Sequence, residues 1–347
     1  MEKSSGRWPR LAHTQRGHTL VMLLLIPLYA ICFVAIRIGL QYAPPLRFAA
    51  LRLLVAALSL LFVAGIFHQP LCIGRRFWPG LLALALTAGA FGYGAMFLSP
   101  GQTGAGIASV LGNTQPLILV ALAAWLLGER VTRQKLITLV LGLAGVFVLS
   151  LAALSALRLA GLVGAIFAFA SAVSFAVATV LMKRLGTAAP LLAITAWQFI
   201  LGATPLFALS SLLEGATPIR WTSAFVGIVL LLGVGGTAIT TTTWYWLAQR
   251  DDVGRLSLYL FLVPVVGVIL SMALLGERLS LFTGIGVVLT LVAVAVTLLH
   301  DAPGSAPHAA PAAPGAPAAR AAPSSPAPPP ADSPSSDPPQ RTTTARQ

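Results

Sequence analysis

Charge is what this sequence has least of. Only 9% of its 347 residues are Asp, Glu, Lys or Arg and 57% are hydrophobic, whereas a soluble domain carries roughly 25% charged residues. A water-soluble fold of this size is excluded. Acidic residues are scarcest, 9 in all against 22 Lys and Arg. Between positions 19 and 300 they are Glu129, Glu214, Asp251, Asp252 and Glu277, and none stands inside an apolar run. The buried carboxylate that a proton-coupled exporter of organic cations needs is therefore missing. The 2 cysteines, Cys32 and Cys72, have no pairing or metal-binding signature, so neither a disulfide nor a metal framework is expected. The histidines, at 13, 18, 68, 300 and 308, lie outside the apolar runs or at their edges. With no nucleophile and base placed together and no phosphate-cradling glycine pattern, neither an enzyme nor a cofactor is expected. The formal charge of +13 does not point to nucleic acid either, because the bases fall singly or in pairs between apolar stretches.

What is present is a series of ten apolar runs, near residues 19–39, 46–67, 77–98, 104–127, 136–155, 160–182, 190–213, 222–247, 256–275 and 280–300. Each is long enough to cross a hydrocarbon core of about 30 Å as a helix. A strand-built barrel would need alternating segments of about half that length. The expected fold is an all-α polytopic membrane protein of ten transmembrane helices. Residues 1–18 form a basic N-terminus, and the first run reads as an uncleaved span because no small-x-small site follows it. Residues 301–347 hold 13 of the 25 prolines with much Ala and Ser, and are expected to form a disordered tail.

Lys and Arg beside spans are retained on the cytoplasmic side. With the N-terminus inside, that side receives Lys3, Arg7, Arg10, Arg16, Arg75, Arg76, Arg130, Arg133, Lys135, Lys183, Arg184, Arg250 and Arg255. The other side receives Arg37, Arg47, Arg158, Arg220 and Arg278. Both termini are expected in the cytoplasm of a bacterial-type inner-membrane protein.

The chain also repeats itself. Pro116 and the following Gly128-Glu129-Arg130 reappear 148 residues later as Pro264 and Gly276-Glu277-Arg278, with Ser109 and Ser257 in the same register. Earlier spans align at 146, where Arg52 meets Gln198. This gives two five-span halves, 19–155 and 160–300. An odd number of spans per half inverts the second copy, and inverted repeats are the usual architecture of alternating-access carriers, with a midplane site between the halves.

On these residues, the paired Pro-x11-Gly-Glu-Arg segments and the Arg47-Phe48 to Arg52 start of the second span, the sequence resembles the drug/metabolite transporter superfamily and its ten-span EamA-type permeases. The resemblance implies a cavity surrounded by the third, fourth, eighth and ninth spans with the first and sixth. It also implies transport of a small organic solute, an amino acid or related metabolite, with export favoured over uptake. Multidrug efflux, or a non-transporting sensor or scaffold using its Pro-rich tail, are the alternatives. The expected partners are the lipid bilayer and the solute, with no nucleic acid; a homodimer is left open.

The candidate pathway residues are Arg52, Tyr93, Met96, Ser109, Asn113, Gln198, Thr241, Thr242, Trp244 and Tyr245. Arg52 lies inside a span on a small-residue face with Ala56 and Ser59, and reads either as a snorkelling anchor or as the contact for a solute anion. Arg37 and Lys183 read as interface anchors. The hydroxyl, amide and aromatic residues read as pocket lining or as interhelical glue. Pro116, Gly128, Glu129, Pro264, Gly276 and Glu277 read as helix breaks, each Glu taking up free amides at the start of the next helix; a gating role is the other reading.

Overall fold

The computed structural model describes residues 15–103, 111–149, 151, 161–215, 217–275 and 281–300. Among these the chain is helical, with no strand. The order is α1 (Gln15–Gly39), α2 (Pro45–Ile66), α3 (Trp78–Leu84), a π-helical stretch (Ala85–Gly92), α4 (Tyr93–Thr103), α5 (Gln115–Leu127), α6 (Arg133–Leu149), α7 (Leu162–Leu185) and α8 (Leu191–Leu213). It continues with α9 (Ser223–Leu230), a second π-helical stretch (Leu231–Ile239), α10 (Thr240–Ala248), α11 (Val253–Leu258), a 3-10 turn (Tyr259–Phe261), α12 (Leu262–Leu275) and α13 (Leu281–His300).

Among the described residues, eight stretches of 18 residues or more are long and apolar enough to cross a membrane. The sequence reading counted ten. The fourth and fifth runs are represented by α5, of 13 residues, and α6, of 17; residues 104–110 and 152–155, where the sequence reading extends those runs, lie outside the described residues. The candidates Ser109, Gly276 and Glu277 also lie outside them.

Local signals set the helix ends. Pro45 opens α2, where its missing N–H costs nothing. Thr222 caps α9 by accepting from the Phe225 amide, and Asp252 caps α11 by accepting from that of Arg255. Gly128 ends α5 in the left-handed conformation, φ 69°. Side chains with no internal partner, such as Leu24, Trp125 and Leu212, are more than 70% exposed and form the lipid-facing surface.

Packing couples the two halves of the chain. α2 lies along α8, α6 along α13, α4 and α5 against α7, and α1 against α12. The first π-helical stretch meets α8, and the second meets α2. At the first of these crossings the backbones touch: a Cβ on Gly202 would stand 2.6 Å from the Gly89 Cα, and one on Gly89 would stand 2.9 Å from the Gly202 Cα. Both obstacles are main chain, so no rotamer change relieves them.

Gly202→Ala should therefore lower the thermal midpoint of the detergent-solubilised protein, with a cost on the order of 1–3 kcal/mol or more from overpacking. Gly227→Ala in α9, where the added methyl meets nothing within 4 Å, should leave the midpoint unchanged or raise it slightly. Equal midpoints for the two variants would contradict the close crossing.

Candidate functional site

Several of the buried polar side chains converge on one cavity of about 170 Å³. Its walls come from α1, α2, α4, α7, α8, α10 and the start of α5, with the second π-helical stretch and the 3-10 turn closing the ring. Arg52, Tyr93, Met96, Asn113, Pro116, Gln198, Thr241, Trp244 and Tyr245 all line it. Thr242 does not; its hydroxyl is buried with no hydrogen-bond partner among the described residues. No carboxylate lines the cavity among the described residues.

Arg52 does not reach for a head group. It is 2% exposed and turned into the bundle. Its Nε donates to the Thr237 hydroxyl, and one terminal nitrogen donates to the Gly236 carbonyl at 2.8 Å and approaches the Cys32 sulfur at 3.8 Å. Thr237 and Gly236 both belong to the second π-helical stretch, and π-bulges recur where a helix serves a site. The guanidinium carbon lies 5.2 Å from the Tyr93 ring centre and 5.7 Å from that of Phe97, so ring faces take part of the charge. The other terminal nitrogen, NH1, is buried without a partner among the described residues.

The remaining lining is tied together side chain by side chain. Tyr93 and Thr241 share a hydrogen bond of 3.2 Å, the Trp244 indole donates to Thr179 at 2.9 Å, and the Gln198 amide nitrogen donates to the Tyr245 hydroxyl at 3.2 Å. The Tyr93 ring meets Phe175 edge-on, with centres 5.1 Å apart. Gln198 is fully buried, and its Oε1 has no partner among the described residues. Among the described residues the cavity lining therefore carries three buried unpartnered groups: a donor on Arg52, an acceptor on Gln198, and the Ser99 hydroxyl, which can act as either.

The resemblance implies walls from the first and sixth spans, here α1 and α7, but none of the candidate pathway residues is drawn from either. Tyr29, Cys32 and Arg37 line the cavity, and Arg37 had been read as an interface anchor. On α7 the lining residues Ala168, Ser171, Ala172, Phe175 and Thr179 recur at helical spacing, a small-residue stripe that could have flagged this face. The helix-break residues behave locally. Pro116 stands in the first turn of α5, and Pro264 in the first turn of α12. Glu129 does take up free helix-start amides, but not those of the next helix: its carboxylate accepts from Val253 and Gly254 at 3.1 and 3.0 Å, at the start of α11.

That contact belongs to an ionic cluster at the end of the bundle marked by the start of α1. Lys183 bridges Glu129 at 2.8 Å and the Asp251 carbonyl, Lys135 bridges Asp252 at 2.6 Å, and Asp251 is held by His18 at 2.8 Å and by Arg255. His18, Glu129 and Lys135 come from the first half of the chain, and the others from the second. Burial pushes the Glu129 carboxyl above the usual carboxylate range, and Asp252 adds to this against the pull of Lys183. Burial opposes ionisation of Asp251 and Asp252 too, yet the His18 bond and Arg255 charge on the first, and Lys135 on the second, hold both below their usual range. The cavity lining instead reaches Arg37, in the last turn of α1, and Gly112, just before α5.

A family model described as the EamA-like transporter family matches the chain twice, over residues 16–151 and 162–299. An uncharacterised transporter of Bacillus subtilis, YvbV, is 29% identical over 276 residues, covering 79% of this chain and 89% of its own length. A protein of Salmonella typhimurium named as a probable amino-acid metabolite efflux pump is 30% identical, covering 74% of this chain and 87% of its own length. Its namesake in Escherichia coli is 27% identical, covering 80% and 93%. A solved crystal structure at 24% sequence identity superposes with a TM-score of 0.71 over 83% of this chain and 98% of that one, and shows the same fold.

The ionic cluster predicts a specific acid sensitivity. Because Asp251 and Asp252 have folded-state values below the ordinary 3.8, their stabilisation is present above that pH and is lost as the pH falls through the lowered values. Asp251→Asn strands His18 and Arg255 and should cost about 3 kcal/mol at neutral pH. Its thermal midpoint should also change less between about pH 5 and pH 3 than that of the wild type. Parallel acid profiles for the two proteins would refute the assignment.

Proposed function

The chain belongs to the EamA-like transporter family, and from that premise we propose that it exports an amino acid or related metabolite across a bacterial-type inner membrane by alternating access. In this reading residues 19–155 and 160–300 are two inverted five-helix halves, ten spans in all, with both termini cytoplasmic. Four features support the inverted arrangement. The family model matches each half separately, and π-helical stretches interrupt the third and eighth apolar runs at corresponding places. Inter-half packing is reciprocal, α4 and α5 against α7 as the second π-helical stretch and α12 are against α1. Tyr93 and Thr241, 148 residues apart, touch, as positions near a twofold axis must.

The observation that carries the solute class is the unpartnered guanidinium nitrogen of Arg52. A charged side chain at the centre of a membrane costs about 2.5–3.5 kcal/mol even by insertion scales, so a donor left open there marks a place for an incoming acceptor. A charged N–H donor of that kind suits a carboxylate oxygen. The efflux names of the relatives in Salmonella and Escherichia support amino-acid metabolites and the outward direction. The ionic cluster, lying on the side to which the distribution of bases assigns the cytoplasm, acts as the closed inner gate, with the cavity reached from the other side.

Flux of labelled amino acids in proteoliposomes is the test. Arg52→Gln, which places in the first half the side chain the second half carries at Gln198, should insert at wild-type levels. It should lose about 10- to 100-fold in apparent affinity, the worth of a charge-assisted hydrogen bond. Wild-type affinity in that variant would return Arg52 to a packing role, and a C-terminal reporter fused after residue 300 that reads outside would sink the ten-span orientation.

A further inference from the structure

Arg52 accounts for one end of a solute; besides the Ser99 hydroxyl, which can donate or accept, the other unpartnered group of the same cavity is an acceptor. Gln198 is fully buried on α8, spends its amide N–H on the Tyr245 hydroxyl, and keeps Oε1 without a partner among the described residues. Leaving a buried acceptor unsatisfied costs about 1–3 kcal/mol, and such atoms in a native structure call for an explanation. The two orphans stand on helices that pack along each other, α2 and α8, at positions the repeat register makes equivalent. Around them the cavity offers ring faces, Tyr93, Phe175 and Trp244, and no carboxylate among the described residues.

We infer that Gln198 is a specificity-determining residue: its Oε1 accepts a hydrogen bond from a donor group adjacent to the solute's carboxylate, so that the site selects α-amino acids over the same acids lacking the amine. The inference rests on the carboxylate reading of Arg52. One half of the repeat supplies the cationic donor for the carboxylate, and the other supplies the neutral acceptor for the ammonium. The ammonium gains this bond and the ring faces. A site built to bond such a donor rejects the analogue without it, because the acceptor is then left buried and empty.

The probes are L-phenylalanine and 3-phenylpropanoate, which differ only in the α-ammonium group, with the other protein amino acids as a panel, in a binding assay on the purified full-length chain. The wild type should prefer the amino acid by about tenfold or more. Gln198→Met, close in shape and without the oxygen, should bring that ratio near one while 3-phenylpropanoate still binds. Gln198→Glu, an acceptor only, should keep or enlarge the ratio, and it reads the same property should the Met variant fail to fold. An undiminished ratio in Gln198→Met, or a collapsed one in Gln198→Glu, overturns the assignment of Gln198. If both variants behave as wild type while Arg52→Gln weakens both probes, the carboxylate reading survives without it. A wild type that binds no amino acid of the panel overturns both.

Discussion

A guanidinium held among apolar helices with no carboxylate opposite it among the described residues is the constraint around which the centre of this protein is arranged. Removing the Arg52 charge from water is expensive, and none of the described acids, Glu129, Glu214, Asp251 and Asp252, is spent on neutralising it. What holds it instead is a set of dipoles and ring faces: the Thr237 hydroxyl, the Gly236 carbonyl, and the rings of Tyr93 and Phe97. The first two come from a π-helical stretch, where the wider turn loosens the regular ladder and turns polar backbone toward a neighbour. Thr240 accompanies the arrangement by also donating to the Gly236 carbonyl. A carboxylate in place of these groups would satisfy the guanidinium and leave it nothing to offer a solute. Dipoles stabilise the charge while one nitrogen stays free.

Three of the four described acids, Glu129, Asp251 and Asp252, collect at one end, where they join spans from both halves. Isolated exposed ion pairs contribute little, but this cluster is shielded: the Arg255–Asp251 side chains are 10% and 14% exposed. Each acid serves more than one element. Glu129 holds Lys183 of α7 and the first amides of α11, and Asp251 holds His18 of α1 and Arg255 of α11. Such multiple contacts make closure of this end cooperative, since opening one helix strands the partners of several. For the proposed gate, a shared network is a more two-state fastening than independent bridges.

Much of this was legible in the sequence because lipid leaves few choices. Long apolar runs become helices since backbone polar groups have nowhere else to bond, and the runs described here are helical. The duplication register also drew attention to pairs of positions, and Tyr93 and Thr241, equated by it, lie in contact. What was not legible depends on packing between distant segments. Nothing in the local pattern around Ala85–Gly92 distinguishes a π-helical stretch from an ordinary helix; the backbone contact of Gly89 with Gly202 exists only once α8 is in place. Glu129 was read as serving the neighbouring helix because sequence distance was the only distance to hand, and it serves one more than 120 residues away. Asp251 and Asp252 were seen only as connector residues, since their meaning comes from Lys135, His18 and Arg255 converging on them.

The relation between scaffold and site follows from these particulars. Under the proposed alternating access, symmetry would suit the scaffold, because two similar halves packed reciprocally would give two states of similar energy. Symmetry does not suit recognition of a solute with unlike ends. Two copies of Arg52 would repel each other and offer no acceptor, and two copies of Gln198 would leave a carboxylate without a charge. In the proposed reading, divergence at this pair of equivalent positions resolves the conflict: Arg52 gives its half of the cavity an open donor and Gln198 gives the other half an open acceptor, each without a partner among the described residues. In that reading the two ends of the solute are told apart by the difference between Arg52 and Gln198, while the Gly236 carbonyl and the Thr237 hydroxyl hold the charge in place.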